Sequence, residues 1–277
     1  MTTSTLSPEE FAFFSSQIGI MDEEELKNHI VSVVNQAYEV FKYRCVRDFG
    51  FLRMNMSHLP AYPQFLSLSR ERKDAIMLDI GCCFGVDVRK AIVDGFPAHN
   101  AIASDLRPEY WQLGHALFRS TPKSLPATFI PGDAFDDSFI SLSGPAEGSG
   151  DVALATVQKS LNPLKGSIAV IHAGALFHLF GEEAQLELAR KLGMLLSSQP
   201  GSMILGGHRG SNVAETGLNN LRGENVYYHS TESWKSLWDG IVFPRDTVKV
   251  ECQLPPRRSE PGEPMLHRYL LWSVTRI

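Results

Sequence analysis

Three aspartates sit at or near the ends of apolar runs, and their spacing is the first sign of chemistry. Asp79 lies inside Ile76-Met-Leu-Asp-Ile80, Asp105 closes Ala101-Ile-Ala-Ser, and Asp133 closes Ala127-Thr-Phe-Ile-Pro-Gly. A carboxylate only accepts hydrogen bonds, so it suits hydroxyl and amino groups. Asp105 falls about 20 residues beyond Gly85, the interval at which an acid ending a second parallel strand holds ribose hydroxyls. Leu106 would then lie against a purine edge. His172 ends the run Gly166-Ser-Ile-Ala-Val-Ile, and His178 follows shortly after. An imidazole can take a proton from a hydroxyl near neutral pH. Each histidine has an alternative reading as an ordinary polar residue. His208 and Arg209 leave a fifth apolar run together, and a guanidinium can hold a carboxylate bidentately. Tyr228 belongs to the polar stretch 211–229, expected to be a loop beside the site.

These residues need elements to aim them. Ile76 to Ile80 reads as a strand buried on both faces, because it is short, apolar and followed at once by glycine. Gly81 and Gly85 bracket a tight turn, where positive φ and a close backbone approach favour glycine. Val86 to Val93 then reads as a helix with Val88, Ala91 and Ile92 inward. Strand, glycine turn and helix open a doubly wound α/β fold, whose ligands lie at the carboxyl ends of the strands. The turn reads D-I-G-C-C-F-G, with Cys83 where a dinucleotide fingerprint has its second glycine, so it suits a ligand without a phosphate.

Further strands are expected at 101–105, 127–133, 166–172, 202–210, 247–254 and 266–275, seven in all, the last two joined by the Pro/Arg-rich segment 255–264. Helices are expected from Met21, with Ile30, Val33, Val34, Ala37 and Phe41 on one face, from Arg107, over 182–196 with Leu186, Ala189, Leu192 and Leu196 inward, and over 230–238. Residues 137–165 read as a Ser/Gly/Pro-rich loop with a short helix such as Leu154 to Leu161. Residues 1–70 are expected to form an N-terminal helical extension or cap, and 71–277 the main domain. Phe11, Phe13, Phe14, Ile18 and Ile20 are expected to pack on that domain or on a second subunit, as in a homodimer.

The bulk numbers exclude several classes. The chain has 277 residues, is 43% hydrophobic and 21% charged, and carries a net charge of −5 with the signs interspersed. No basic patch points to nucleic acid, and no apolar run approaches the roughly 20 residues that span a bilayer. The N-terminus has neither a basic n-region nor an apolar h-region, so a cytoplasmic protein is expected. Cys45, Cys82, Cys83 and Cys252 form no C-x-x-C pair, which reads as reduced thiols with no structural metal.

With these residues set out, the chain resembles a fungal class I S-adenosylmethionine (SAM) methyltransferase, closest to the small carboxyl O-methyltransferases of meroterpenoid pathways. The resemblance spans roughly residues 25–277. It is carried by Tyr38 to Leu52, D-I-G-C-C-F-G, S-D-L-R-P-E-Y (Ser104 to Tyr110), P-G-D-A-F (Pro131 to Phe135) and I-H-A-G-A-L-F-H (Ile171 to His178). It implies a Rossmann-like, seven-stranded, mostly parallel sheet with an antiparallel C-terminal hairpin. It implies SAM as cofactor and a small-molecule acceptor. Asp79, Gly81, Gly85, Asp105, Leu106, Asp133, Ala134 and His172 would bind the cofactor, with Asp133 on the adenine amino group and the Ala134 N–H on a ring nitrogen. His172 or His178 would serve a phenol as base, whereas a carboxylate needs none. His208, Arg209 and Tyr228 would meet the acceptor, and Phe84 or Tyr110 could face the sulfonium. Three other readings stay open: N-methylation, a nicotinamide-dependent reductase and a non-catalytic module. Against the reductase, the one Y-x-x-x-K pattern, Tyr38 to Lys42, precedes the glycine turn.

Overall fold

The computed structural model describes residues 6–144, 157, 159–219, 223–255 and 268–277. Four helices come first: α1 (Pro8–Ile18), α2 (Glu23–Val40), α3 (Arg44–Arg47) and α4 (Tyr62–Glu71). The apolar start of the chain is thus a helix, capped by Ser7 and Glu10 in a reciprocal box. Asp22 caps α2 by accepting the Glu25 N–H, and three glutamates fill the first turn where the helix dipole favours them.

The remaining elements alternate. They are β1 (Ile76–Ile80), α5 (Val86–Val93), β2 (Ala101–Ser104), α6 (Pro108–Leu117), β3 (Thr128–Phe129), β4 (Ile168–Gly174), α7 (Glu182–Leu195), β5 (Met203–Gly210), β6 (Glu215–Asn219), β7 (Glu224–Tyr228), α8 (Thr231–Trp238), β8 (Val248–Gln253) and β9 (Arg268–Arg276). Seven strands form one sheet in the order β3-β2-β1-β4-β5-β9-β8. β1 to β5 run parallel, and β9 enters antiparallel between β5 and β8. The order reverses between β1 and β4, which is where such sheets open a crevice for ligands.

Several expectations are corrected. The third strand pairs only at Thr128 and Phe129, because Pro131 has no N–H to continue a ladder. The backbone still follows β2, through Ile130 N–H to the Ala103 carbonyl and Gly132 N–H to the Asp105 carbonyl. Much of the stretch 211–229 is no loop. It forms the separate hairpin β6-β7, with Val226 and Tyr228 buried, and its Thr, Val and Tyr residues favour strands. On α7 the buried face runs through Leu188, Ala189, Leu192 and Leu195, with Leu186 only half-buried. The expected helix at 154–161 and segment 255–264 fall largely outside the described residues.

The two sheet faces bury different cores. On one, Leu78, Ile171, Ile204 and Trp272 pack with α7 and α8. On the other, Met77, Val170, Met203 and Leu205 pack with α4, α5 and Met56. A third cluster joins α1 and α2 to Phe84, Tyr110, Leu117 and Phe118. The N-terminal helices are therefore built onto the glycine turn and α6. Among the described residues no helix is long and apolar enough to cross a membrane.

Candidate active site

The glycine turn is held by an aspartate. Gly81 and Gly85 have φ of 75° and 68°, and Cys83 between them has φ of 51°. Left-handed backbone costs a non-glycine residue roughly 1–2 kcal/mol. Cys83 thus adopts the backbone that glycine would supply in the family's usual pattern. Its N–H donates to Asp105 Oδ2 at 2.9 Å, and the Arg107 N–H donates to Asp105 Oδ1 at 2.9 Å. Asp105 therefore ties the turn after β1 to the turn after β2. Burial pushes its carboxyl up, against the two backbone N–H groups and Arg107. Its two oxygens keep further acceptor sites for a ligand. Leu106 beside it is 51% exposed.

Asp133 is exposed after β3 and accepts the Phe135 N–H at 2.9 Å, closing a local turn through Ala134. This loop is fixed from below by Lys191 of α7, which is fully buried. Its Nζ donates to the Phe135 carbonyl at 2.9 Å and meets Asp137 at 3.1 Å and Glu187 at 3.0 Å. In the sequence, the signal for this anchor is a lysine on the apolar side of a helix.

Asp79 and His172 are register partners on β1 and β4, so their side chains share a sheet face. The His172 Nδ1–H donates to Asp79 Oδ1 at 2.7 Å, and the two residues are 1% and 2% exposed. Burial pulls the His172 imidazole down, but the charge and hydrogen bond of Asp79, aided by Asp87, outweigh it and leave it raised. Its Nε2 is buried without a partner. A Cβ on Gly174 would come within 3.0 Å of that nitrogen, so glycine there makes room for the ring. Asp87 on α5 accepts the Met56 N–H at 2.8 Å and is pushed up to about 6, chiefly by burial.

The other candidates separate. His208 and Arg209 are neighbours on β5 and so point to opposite faces. His208 is fully buried, accepts from Trp272 Nε1 at 2.9 Å and lies 4.5 Å from the Trp234 ring, so its expected acceptor contact is corrected to a core position. Burial drives its imidazole well down, helped by the His178 and His229 charges. His178, in the short helix Phe177–Leu179, lies near His208. Tyr228 is buried against Gly217 of the hairpin. Phe84 and Tyr110 do not face the crevice. Phe84 packs edge-on to Phe51 at 4.7 Å, and the Tyr110 hydroxyl donates to the Phe41 carbonyl. Arg209 is half-exposed on the His172 face, opposite Tyr269 of β9. Among the described residues no group of His, Cys, Asp or Glu could hold a metal ion.

A glycine turn leashed by an acid after β2, at the switch point of a 3-2-1-4-5 parallel sheet, defines a Rossmann-like nucleoside-binding crevice. The residues fit SAM. Asp105 offers acceptor sites for hydroxyl groups beside the turn that Gly81 and Gly85 bend. Comparison with known proteins agrees. Residues 1–52 match the family described as the meroterpenoid methyltransferase N-terminal domain. The chain is 32% identical to methyltransferase adrK of Penicillium roqueforti over 79% of this chain and 70% of that one. It is also 32% identical to O-methyltransferase phiE of a fungal species, over 79% of this chain and 66% of phiE. The chain belongs to this fungal meroterpenoid methyltransferase family. It spans just under two thirds of the length of phiE, and 61% of O-methyltransferase atr3 of Stereocaulon alpinum. Among solved structures, Burkholderia thailandensis 1,6-didemethyltoxoflavin-N1-methyltransferase, which holds S-adenosylhomocysteine, shares the fold. Its TM-score is 0.51 at 14% identity, over 90% of this chain and 89% of that one.

Proposed function

We propose that this chain transfers the methyl group of SAM to an oxygen of a small molecule, a carboxylate of a fungal secondary metabolite. One observation carries the cofactor reading: Asp105 joins the ends of β1 and β2 through the Cys83 and Arg107 N–H groups, where a ribose would lie. SAM, when bound, supplies a methyl on a sulfonium already activated for displacement. Asp105 would accept from the ribose hydroxyls, with Leu106 against the adenine. Asp133 would accept from the adenine amino group, and the Ala134 N–H would meet a ring nitrogen. Gly81 and Gly85 supply the left-handed bends of the turn, and Asp79 and His172 form the charged floor below the β1 and β4 ends.

The oxygen acceptor follows phiE and atr3, both O-methyltransferases. A carboxylate is already ionised at neutral pH, so the protein need only orient it and exclude water. Orientation can supply about 7–11 kcal/mol of the barrier. Arg209 is the orienting cation. The partnerless Nε2 of His172 favours a second reading, a phenol acceptor with His172 as base and Asp79 holding its tautomer.

Titration calorimetry with S-adenosylhomocysteine tests the cofactor half. Binding to the natural chain, weakened severely in Asp105→Ala, supports it, and equal affinity removes the ribose assignment. Labelled SAM with panels of carboxylic acids, phenols and amines tests the acceptor. Labelled amines alone would overturn the oxygen reading.

A further inference from the structure

Asp105, the proposed ribose acid, has a cation beside it. Arg107 follows two residues later, and its backbone N–H already donates to Asp105 Oδ1 at 2.9 Å. A guanidinium fork pairs readily with a carboxylate that near. Among the described residues no such pair forms. Both hydrogen bonds that Asp105 accepts there come from backbone N–H groups, those of Cys83 and Arg107. The Arg107 side chain lies instead over the ring of Phe41, with Cζ 4.6 Å from the ring centroid. Its Nε is buried without a hydrogen-bond partner, so the aromatic face, and no hydrogen bond at that nitrogen, holds it aside.

Phe41 is fixed in place by α2 and α6 together. It closes α2, where its N–H donates to the Ala37 carbonyl at 3.3 Å. Its own carbonyl accepts two donors, the Tyr110 hydroxyl at 2.9 Å and the Tyr43 N–H at 2.9 Å. The Tyr43 ring stands 4.4 Å from the Phe41 ring and 5.8 Å from that of Tyr110. Arg107 caps α6 and Tyr110 lies in its first turn. One helix start therefore grips the Phe41 backbone and lays a cation on the Phe41 face.

We infer that Phe41 is a positioning residue for the cofactor: it keeps the Arg107 guanidinium off Asp105 and so leaves the acceptor sites of that carboxylate to the ribose hydroxyls. The inference rests on the proposed function, which supplies the ribose. Burial pushes the Asp105 carboxyl up, and the guanidinium acts against that from where it lies, without occupying the carboxylate lone pairs. Removing the ring frees Arg107 to pair with Asp105, and a nucleoside must then break that pair. The N-terminal layer thereby sets cofactor affinity through α6, with Phe41 acting through Arg107.

The test is titration calorimetry of the full chain with S-adenosylhomocysteine, on Phe41→Leu, Arg107→Met and the double variant. Phe41→Leu keeps an apolar side chain and removes the aromatic face. A competing ion pair of ordinary strength should weaken its binding about fivefold. The double variant has no competitor left, so it should regain that factor and match Arg107→Met. Phe41→Tyr, which keeps the face, should bind as the natural chain does. A packing role alone predicts that the double variant binds as weakly as Phe41→Leu or more weakly, and that result overturns the inference, as does unchanged affinity in Phe41→Leu. Salt gives a second readout, because it screens a half-exposed ion pair. Raising it should restore part of the affinity of Phe41→Leu and leave the double variant unmoved; an equal response in both counts against the inference. Should Phe41→Leu fail to fold, Arg107→Lys tests the same competition from the other side. It keeps the charge without the flat stacking group and should bind more weakly than Arg107→Met, and equal binding of the two overturns the inference. Failure of the natural chain to bind S-adenosylhomocysteine would instead sink the proposed function.

Discussion

His172 and Asp79 meet across adjacent parallel strands at 2.7 Å, with almost no surface between them exposed. Removing one partner of such a buried pair costs about 3–5 kcal/mol, because the other charge is left uncompensated. Asp79→Ala should show this as a lower urea midpoint with an unchanged slope. The pair also sets a pH trend. The imidazole is raised in the folded chain, so its stabilisation is complete below its ordinary value of 6.5 and fades as pH rises through the folded value. Urea midpoints measured upward from pH 6 should fall in the natural chain, and this component should vanish in His172→Gln.

The histidines of the other face predict the opposite trend. Burial drives His229 down to about 4 and His208 well down. Each is neutral when folded and takes a proton more readily when unfolded, so stability falls as pH drops below 6.5 toward 4. His229→Gln should flatten the loss between pH 6.5 and 4.5 in the same urea series. An equal slope in the variant would contradict the assignment.

Cys83 separates backbone from side chain. A β-branched residue tolerates left-handed backbone worse than cysteine, and glycine tolerates it freely. Cys83→Val should destabilise by about 1–2 kcal/mol and weaken S-adenosylhomocysteine. Cys83→Gly should bind it about as the natural chain does, by calorimetry.

Gly114 meets the same turn from α6. A Cβ there would stand 2.3 Å from the Phe84 carbonyl oxygen, which is backbone and cannot swing away. Overpacking of this kind costs about 1–3 kcal/mol. Gly114→Ala should lower the melting temperature and weaken S-adenosylhomocysteine together.

Lys191 predicts the reverse split. Its partners Asp137 and Glu187 are largely solvated, so Lys191→Met should leave stability within about 1 kcal/mol. The Phe135 carbonyl loses its donor, and the 133–137 loop loosens. S-adenosylhomocysteine affinity should fall several-fold while the melting temperature barely moves. A matched fall in both would reduce Lys191 to a core residue.

The layout of the sheet was legible in the sequence because β1, β2, β4 and β5 are short, buried apolar runs that end at or beside a glycine or an acid. The position of Asp105 at the end of β2, beside the glycine turn, was legible for the same reason: it depends on spacing along the chain. Positions fixed by partners distant in sequence were harder to read. His208 stands next to Arg209, and only the pleat decides that one joins a tryptophan core and the other the opposite sheet face beside Tyr269. The hairpin at 215–228 was hidden by its polar composition, since a small two-stranded ribbon buries little more than Val226 and Tyr228.

Phe51 sits against Phe84, and the Tyr110 hydroxyl reaches back to Phe41. The opening helices and the nucleoside turn therefore cannot be inherited separately. A chain cut after residue 52 would bare Phe84, Tyr110 and Phe118 to water and lose the wall that gives the turn its shape. Recombination among relatives should preserve these two regions as one module, and chimeras that exchange only the first helices should fail at the ligand before they fail at the sheet.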